Sequence, residues 1–192
     1  MKETIDAYLA FMKETELLKS VTRTAWTGSG KQESTAEHSW HLALFAAVML
    51  EEYPGLDIRK TLLMCLLHDI GEIYEGDISA ALHPNSSRKY QEEYRAASRV
   101  FSLLPEKQKE DFMAVWQEYE DGQTPEARLV KALDKAETII QHNTGKNPPD
   151  FDYDFNLQYG KSYFTDDILL EEMRNAEICS YLHRYSFPLP TK

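Results

Sequence analysis

The sequence predicts an all-α fold, and three observations lead to that class. Apolar residues recur at helical spacing through most of the chain, as at Ile5, Leu9 and Met12 near its start. Residues that favour helix starts and helix ends separate these stretches, and no segment shows the alternation expected of a convincing strand. The chain has 192 residues, of which 42% are hydrophobic and 28% charged, and this is typical of one globular domain with a substantial core.

The first part of the chain is predicted to form three helices. An amphipathic N-terminal helix is followed by "GSGKQ" at residues 28–32, whose composition favours a loop. Ser34 and Glu37 have the spacing of a capping box, so a long apolar helix is expected to begin there and to end at Pro54. Asp57 is a suitable N-cap for the next helix, which is apolar on nearly every side and is therefore predicted to be central and buried.

The middle of the chain continues the helical pattern. Gly71 is expected to end the third helix, because glycine favours the position just after a helix. The sequence "HPNSSR" at residues 83–88 has the composition of a loop. Apolar spacing then predicts two more helices, at about residues 90–104 and 106–120.

The last part of the chain begins with a strong helix signal. Thr124 is a good N-cap and Pro125 suits the first helical position, so a long helix is predicted there, ending near Gly145. Residues 150–164 are aromatic and acidic without a clear period, and we interpret them as a loop or irregular structure. A final helix is expected at about residues 165–185.

Charge and cysteine content restrict the class of function. The formal net charge of −11 argues against nucleic acid as a partner, because phosphate backbones are contacted through clustered Lys and Arg. No apolar run approaches the ~18 residues needed to cross a bilayer, and the N-terminus does not resemble a secretory signal. Cys65 and Cys179 do not form a disulfide framework. We therefore expect a cytoplasmic protein with no membrane partner.

Four ionisable residues are placed in three of the apolar helices. His38 lies at the start of one helix, and His68 and Asp69 lie at the end of another. Asp134 lies on the predicted inward side of a third. Burial of such groups without partners is costly, and a cation that binds all of them removes the cost. Neutral imidazoles with carboxylates suit a divalent first-row metal, and this set leaves room for bound water.

The sequences around these four residues resemble those of a known family. "AEHSW", "LLHDIGE" and "ALDKAE" together match the H…HD…D pattern of the HD-domain metal-dependent phosphohydrolases. "LKSVTRTAW", "ESTAEHS" and "HDIGEIYEGDI" are similar to the branch of 5′-deoxynucleotidases, which act on deoxyribonucleoside 5′-monophosphates. The resemblance covers roughly residues 15–142.

The resemblance implies a fold and a division of the chain. The expected fold is an HD-domain bundle of about seven to nine helices around one metal site, forming a single domain over residues 1–192. The metal-binding core is expected at about 34–142, with an N-terminal helix and substrate segment at 1–27. Residues 150–192 then supply an irregular stretch and the last helix. The family also suggests a homodimer.

The resemblance further implies roles for individual residues. The four residues of the H…HD…D set are expected to bind one divalent cation, and Mn, Co, Fe, Ni, Zn and Mg all remain open. Glu72 matches the acidic residue that acts on the attacking water, and Asp77 matches a second carboxylate near the phosphate and leaving group. Arg23 and Trp26 match the segment that binds phosphate and sugar.

The implied function is hydrolysis of (deoxy)nucleoside 5′-monophosphates to nucleoside and phosphate by metal-activated water. Three alternatives remain open. A phosphodiesterase or pyrophosphohydrolase of signalling nucleotides is disfavoured because Ile73 rather than Asp follows Glu72, and because no Gly-Tyr-Pro tripeptide occurs. A di-iron oxygenase needs further His ligands, and only His83 is available. The last alternative is a non-catalytic helical binding domain with a structural metal.

Several neighbouring residues have simpler interpretations. Glu75 is expected at the surface, and His41 is disfavoured as a ligand because His38 occupies the position after "AE". For Arg88 and Lys89 a contact with phosphate is an open alternative, but a solvated loop is favoured. Trp40 is expected in the core.

Overall fold

A computed structural model describes residues 1–78, 82 and 85–186, with the backbone alone for 180–186. The described part of the chain contains eight α-helices, which confirms the all-α class. His83, on which the di-iron alternative depended, lies outside the described residues. The helices are α1 (Lys2–Thr15), α2 (Thr35–Met49), α3 (Ile58–Leu67), α4 (Ser86–Phe101), α5 (Glu106–Asp121), α6 (Pro125–Thr144), α7 (Phe155–Gln158) and α8 (Ile168–Ser186).

A short antiparallel hairpin precedes α2, although the sequence was expected to contain no strand. Its strands are β1 (Thr22–Trp26) and β2 (Gln32–Ser34), and Trp26 is paired with Gln32. Gly30 in the connecting turn has a φ of 89°, a conformation that glycine adopts without strain. The expectation was wrong because strands of five and three residues are too short to show a period.

The helix starts agree with the capping signals in the sequence. The Ser34 hydroxyl accepts a hydrogen bond from the Glu37 amide, and the Glu37 carboxylate accepts one from the Ser34 amide, which completes the capping box. Asp57 and Thr124 accept hydrogen bonds from the first turns of α3 and α6 in the same way. Asn85 caps α4, so the predicted loop at residues 83–88 is wrong for its last three residues.

The centre of the molecule is formed by α2, α3 and α6, which pack against one another. Leu42, Met64 and Leu133, one from each helix, have no exposed surface. The prediction of a buried α3 holds for the side of the helix that carries Met64, while Leu66 on its other side is 48% exposed. The three helices therefore hold their inward residues at fixed positions relative to one another.

The end of α3 differs from the prediction. The helix ends at Leu67, before Gly71, and a separate 3-10 helix spans Ile70–Ile73. Asp69, between the two, has φ −97° and ψ 12°, which is a sparsely populated backbone region. The chain therefore turns at the His68–Asp69 pair and directs both side chains toward α6.

Residues 150–164 are more ordered than their sequence indicated. They contain α7 and a 3-10 helix at Lys161–Phe164, and Phe164 is buried. The segment packs against α6. Among the described residues, no helix combines the length and the apolar character that crossing a membrane requires.

Candidate metal centre and active site

Two buried histidines present one ring nitrogen each to the same point. His38 is fully buried in the first turn of α2, and its Nδ1 lies 2.5 Å from a carboxylate oxygen of Glu137. His68 is 4% exposed at the end of α3, and its Nδ1 lies 2.9 Å from the Cys65 carbonyl oxygen. Both acceptors require a proton on Nδ1, so in the neutral form of each ring Nε2 carries the lone pair.

Two carboxylates complete this centre. Asp69 Oδ2 lies 3.0 Å from His68 Nε2 and 3.7 Å from His38 Nε2. Asp134 Oδ1, from α6, lies 3.2 Å from His38 Nε2. The other oxygen of Asp134 accepts hydrogen bonds from the Tyr119 hydroxyl at 3.0 Å and from the Lys135 ammonium at 2.6 Å. Tyr119 and Lys135 therefore fix Asp134 through Oδ2, and Oδ1 is directed at His38.

The electrostatics of the centre favour a positive charge. Burial and the charge of Arg23 lower the pKa of His38, but Glu137 and Asp134 raise it more strongly, to about 10, so Nε2 holds a proton that a divalent cation would displace on binding. Burial raises the pKa of Asp69, yet the neighbouring His68 outweighs it and lowers that pKa below its usual range. The pKa of Asp134 is also lowered, chiefly by Lys135 and His38 acting against burial.

These four residues fit a divalent cation. Both Nε2 atoms are buried, and neither forms a hydrogen bond of good geometry, although carboxylate oxygens lie 3.0 and 3.2 Å away. Such atoms are costly unless they bind something. The nearest ligand atoms of His38, His68 and Asp69 lie within 4.8 Å of one another. Two imidazoles with two carboxylates suit a first-row metal ion. Glu137, behind His38, orients its ring as carboxylates do behind metal-binding histidines.

Glu72 lies one turn beyond the His-Asp pair, in the 3-10 helix. Its side chain is buried, and its Oε2 accepts a hydrogen bond of 3.3 Å from the Thr35 hydroxyl. Burial raises the pKa of Glu72 well above its ordinary value, and the charges of Asp69 and Asp77 raise it further. A carboxyl group with a raised pKa is a better proton acceptor than an ordinary glutamate.

Asp77 and Trp26 line one large cavity together with the metal centre. The cavity has a volume of about 560 Å³. Burial raises the pKa of Asp77. The Trp26 ring lies edge-on to Phe151, with a centroid distance of 6.0 Å. The cavity is thus polar at the metal end and aromatic farther away. This gradient suits a ligand with a charged group and an unsaturated ring system.

Arg23, on β1, also lines the cavity and is fixed by buried partners. Its Nη2 donates to the Thr138 hydroxyl at 3.0 Å, and its Nη1 lies 3.8 Å from Glu137 and 3.9 Å from Glu33. Burial lowers the pKa of Arg23, but the surrounding carboxylates, led by Glu137, raise it more. Nη1 has no hydrogen-bond partner. This arrangement gives the cavity a permanently charged donor with hydrogen-bonding capacity to spare.

Three residues at the site were not selected from the sequence. Glu137 contacts His38 and also lies 2.8 Å from Nδ1 of His41. Glu137 lies one helical turn from Asp134 and is the last residue of "ALDKAE", but only Asp134 was selected from that stretch. Lys135 borders the cavity beside Asp134.

Lys89 is the third such residue, and the structure corrects its predicted place in a solvated loop. It lies in α4, with its ammonium 3.0 Å from Glu93 and 3.7 Å from Glu72. Arg88, its neighbour, is exposed as expected. No sequence signal separated the two, because the difference depends on how α4 packs.

The structure brings the predicted residues to one cavity. His68, Asp69 and Asp134 line it with Glu72, Asp77, Arg23 and Trp26, and His38 lies directly behind them. Glu75 is exposed as expected. Trp40 was expected in the core but is 63% exposed, because it lies on the outer face of α2.

The fold and this centre define a class: a helical protein in which His and Asp side chains converge on a divalent-cation site. The family model described as HD domain matches residues 15–174. The chain belongs to the HD domain family. It is 31% identical over 180 residues to the 5′-deoxynucleotidase HDDC2 of Bos taurus, with 88% of this chain and 87% of that protein covered.

Other comparisons agree. The chain is 32% identical over 160 residues to the 5′-deoxynucleotidase HDDC2 of Dictyostelium discoideum, covering 79% of this chain and 84% of the relative. A crystal structure of a predicted metal-dependent phosphohydrolase from Magnetospirillum magnetotacticum is similar at a TM-score of 0.70 and 26% identity. That match covers 93% of this chain and 97% of the other.

Proposed function

We propose that this protein is a metal-dependent phosphomonoesterase that hydrolyses deoxyribonucleoside 5′-monophosphates to a nucleoside and phosphate. The observation that carries the proposal is the pair of buried, unpartnered His Nε2 atoms beside Asp69 and Asp134, at the polar end of a cavity that also contains Glu72. The relatives named 5′-deoxynucleotidase support the substrate class.

The residues around the cavity divide the reaction between them. His38, His68, Asp69 and Asp134 would hold a divalent cation, which would supply Lewis acidity and lower the pKa of water. Glu72 accepts a proton from the attacking water, for which its burial and raised pKa suit it.

Arg23 and Asp77 act on the phosphate ester. Arg23 donates hydrogen bonds to the phosphate from its fixed position on β1. As the ester P–O bond breaks, Asp77 gives a proton to the departing 5′ oxygen, because its raised pKa favours the protonated form. Water adds to phosphorus, and nucleoside and inorganic phosphate leave.

We propose that preference for the deoxy sugar depends on Trp26. An apolar ring against C2′ leaves a 2′-hydroxyl without a hydrogen-bond partner, and this disfavours ribonucleotides. Trp26 is held in place on both sides, because its carbonyl accepts a hydrogen bond of 2.7 Å from Gln141 and its ring contacts Phe151.

We further propose that the chain acts as one domain, as a homodimer and in the cytoplasm. Residues from β1 to α7 line a single cavity, which supports one domain. Trp40, Leu44 and Val48 are 63%, 51% and 66% exposed on one face of α2, and a second copy would cover them. The reduced, buried Cys65 is consistent with a reducing compartment.

The dimer has a direct test in solution. The variant Leu44→Glu places a charge in the centre of the exposed α2 face, so we expect it to sediment as a monomer while the wild type sediments as a dimer. Equal sedimentation of the two proteins contradicts this interface.

The activity is tested by phosphate release from the chelator-treated protein. Mn, Co, Fe, Ni, Zn and Mg are added back separately, with deoxyribonucleoside and ribonucleoside 5′-monophosphates as substrates. We expect metal-dependent turnover that is faster on the deoxy substrates. Asp69→Ala should abolish both turnover and metal binding, whereas Asp111→Ala, an aspartate exposed on α5, should change neither. Metal binding without hydrolysis of any monophosphate contradicts the proposed function.

A further inference from the structure

We propose that α7 and the residue after it form a nucleobase-binding wall, with Phe155 and Tyr159 as the contacting rings. Both residues border the cavity that contains the metal centre. They lie one turn apart, and their ring centroids are separated by 4.7 Å with 32° between the ring planes. The inference rests on the proposed function, because it assigns the base of the nucleotide to this end of the cavity.

The segment that carries these rings is built as a rigid part of the site. Asn156, between them in sequence, has no exposed surface, and its Oδ1 lies 2.8 Å from Nδ1 of the buried His142. Arg174, from α8, is also buried and donates a hydrogen bond of 2.7 Å to the Leu157 carbonyl. Burial of an amide or a guanidinium is costly unless the group forms hydrogen bonds in the folded protein. Here they fix α7 against α6 and α8.

The start of α7 is fixed as well. Asp152 Oδ1 accepts hydrogen bonds from the amides of Asp154 and Phe155, at 3.0 and 3.3 Å. Together these contacts hold Phe155 in place, although α7 is too short to be stable alone.

A lysine side chain lies between the Tyr159 ring and Asp134 of the metal centre. Lys135 connects the two: its ammonium lies 2.6 Å from Asp134 Oδ2 and 5.5 Å from the centroid of the Tyr159 ring. Gly160, with a φ of 62°, allows this approach, because a Cβ at that position would lie 2.6 Å from Lys135 Cβ. The Tyr159 ring therefore lies one lysine head group away from Asp134, and this leaves the metal end of the cavity to the phosphate.

The chemistry of the two rings also points to a base. Phe155 and Tyr159 are only partly buried, so apolar ring surface faces the cavity. A structural pair would be expected to face the core instead, as Phe164 does in the same segment with 1% exposure. Every nucleobase has a flat π face, and stacking on aromatic side chains is a general way in which proteins hold bases.

The test compares substrates with and without a base. Initial rates are measured for thymidine 5′-monophosphate, deoxyadenosine 5′-monophosphate and 2-deoxyribose 5-phosphate, using the wild type and Phe155→Ala. We expect Phe155→Ala to lower kcat/KM at least tenfold on both nucleotides, which is about 1.4 kcal/mol of lost binding. The same variant should leave kcat/KM for 2-deoxyribose 5-phosphate unchanged.

Two further variants separate stacking from folding. Phe155→Leu keeps apolar bulk but removes the π face, so a loss confined to the nucleotides is expected there too. Tyr8→Ala removes an aromatic ring from α1, away from the cavity, where the residue is 40% exposed, and should behave as the wild type does. Equal losses on all three substrates, or no loss on any, would overturn the base assignment.

A binding measurement distinguishes this inference from the proposed function. Deoxyadenosine and 2-deoxyribose are titrated into the chelator-treated wild type and into Phe155→Ala, so that neither phosphate nor metal is required. Binding of deoxyadenosine that weakens at least tenfold in the variant supports the wall even if no monophosphate is hydrolysed. Hydrolysis of nucleotides together with nucleoside binding that is insensitive to Phe155 removes the wall and leaves the proposed function standing.

Discussion

At the scale of single residues, the protonation of two imidazole rings determines what the centre can bind. His38 and His68 each donate from Nδ1, to Glu137 and to the Cys65 carbonyl, so each leaves Nε2 to accept a cation. One acceptor is a side chain from another helix, and the other belongs to the same helix. The two rings are therefore fixed by independent contacts, and loss of one does not release the other.

Glu72 is the residue whose substitution best separates chemistry from metal binding. Because its proposed role is to accept a proton from water, Glu72→Gln should lower kcat by about 10²- to 10⁴-fold. The amide keeps the shape of the carboxylate and its contact with Thr35, so metal content should be unchanged. Metal analysis and steady-state rates check both statements, and a fully active Glu72→Gln enzyme would remove Glu72 from the mechanism.

Lys89 and Arg88 provide a matched pair on one helix. Each forms an ion pair with the glutamate four residues on, but Lys89 also lies 3.7 Å from Glu72, whereas the Arg88 side chain is 79% exposed. Lys89→Met should therefore lower kcat/KM about tenfold, equivalent to about 1.4 kcal/mol, by removing a cation from the active site. Arg88→Met should have no effect in the same assay. Equal losses of kcat/KM in the two variants would mean that Lys89 acts through the general surface charge and not through its contact with Glu72.

At the scale of elements, the site depends on the close approach of α4 to the 3-10 helix. Gly71 makes this approach possible, because a Cβ built there would lie 2.6 Å from Glu93 Cβ and 2.9 Å from the Glu93 carbonyl oxygen. With glycine at this position, Lys89 is brought beside Glu72. Gly71, which the sequence indicated only as a helix terminator, is thus a residue at which α4 packs closely against the 3-10 helix.

Gly71→Ala should destabilise the protein, since the added methyl group meets backbone that has little room to move. We expect a loss of about 1–3 kcal/mol in the free energy of unfolding, as is typical of overpacked sites. Gly55→Ala is the control, because a Cβ there meets nothing within 4 Å. Urea denaturation of the two variants gives the comparison, and equal midpoints would show that α4 moves away without cost.

Elements that are specified locally were the ones that the sequence predicted. Ser34, Asp57 and Thr124 cap their helices through residues three positions away, so a short window contains the whole signal. The hairpin, in contrast, is stabilised by contacts with α6, and α7 by the side chain of Arg174. Such contacts join distant parts of the chain, and no local pattern reports them.

The same distinction holds for the candidate site. The H…HD…D residues were predicted because each occupies a recognisable local context. Glu137 and Lys89 were not, because their importance comes only from which side chains they meet in space. Residues 150–164 carry aromatic rings without a period, and their place in the cavity wall becomes visible only once α6 and α8 are positioned.

At the scale of the whole molecule, the cavity joins the segment before α2 and the segment after α6. Arg23 on β1 donates to Thr138, and Asn156 in α7 contacts His142, so both flanking segments are attached to that one helix. α6 also supplies Asp134. A ligand that bridges α2, α3 and α6 at the metal centre therefore acts on the packing of all three helices.

This architecture predicts that metal binding stabilises the folded chain. A cation that binds the native state and not the unfolded chain, at about 100 times its Kd, adds about 2.7 kcal/mol to the free energy of unfolding. For a chain of this size, 1 kcal/mol shifts Tm by about 2–4 °C, so we expect the chelator-treated protein to gain about 5–10 °C on metal addition. Differential scanning calorimetry gives the measurement.

The variant Asp69→Ala should show almost no gain in Tm on metal addition. The variant Glu72→Gln should gain as much as the wild type, because Glu72 is not among the proposed ligands. If Asp69→Ala were stabilised as strongly as the wild type, the cation would be binding elsewhere, and α2, α3 and α6 would not be held together by it.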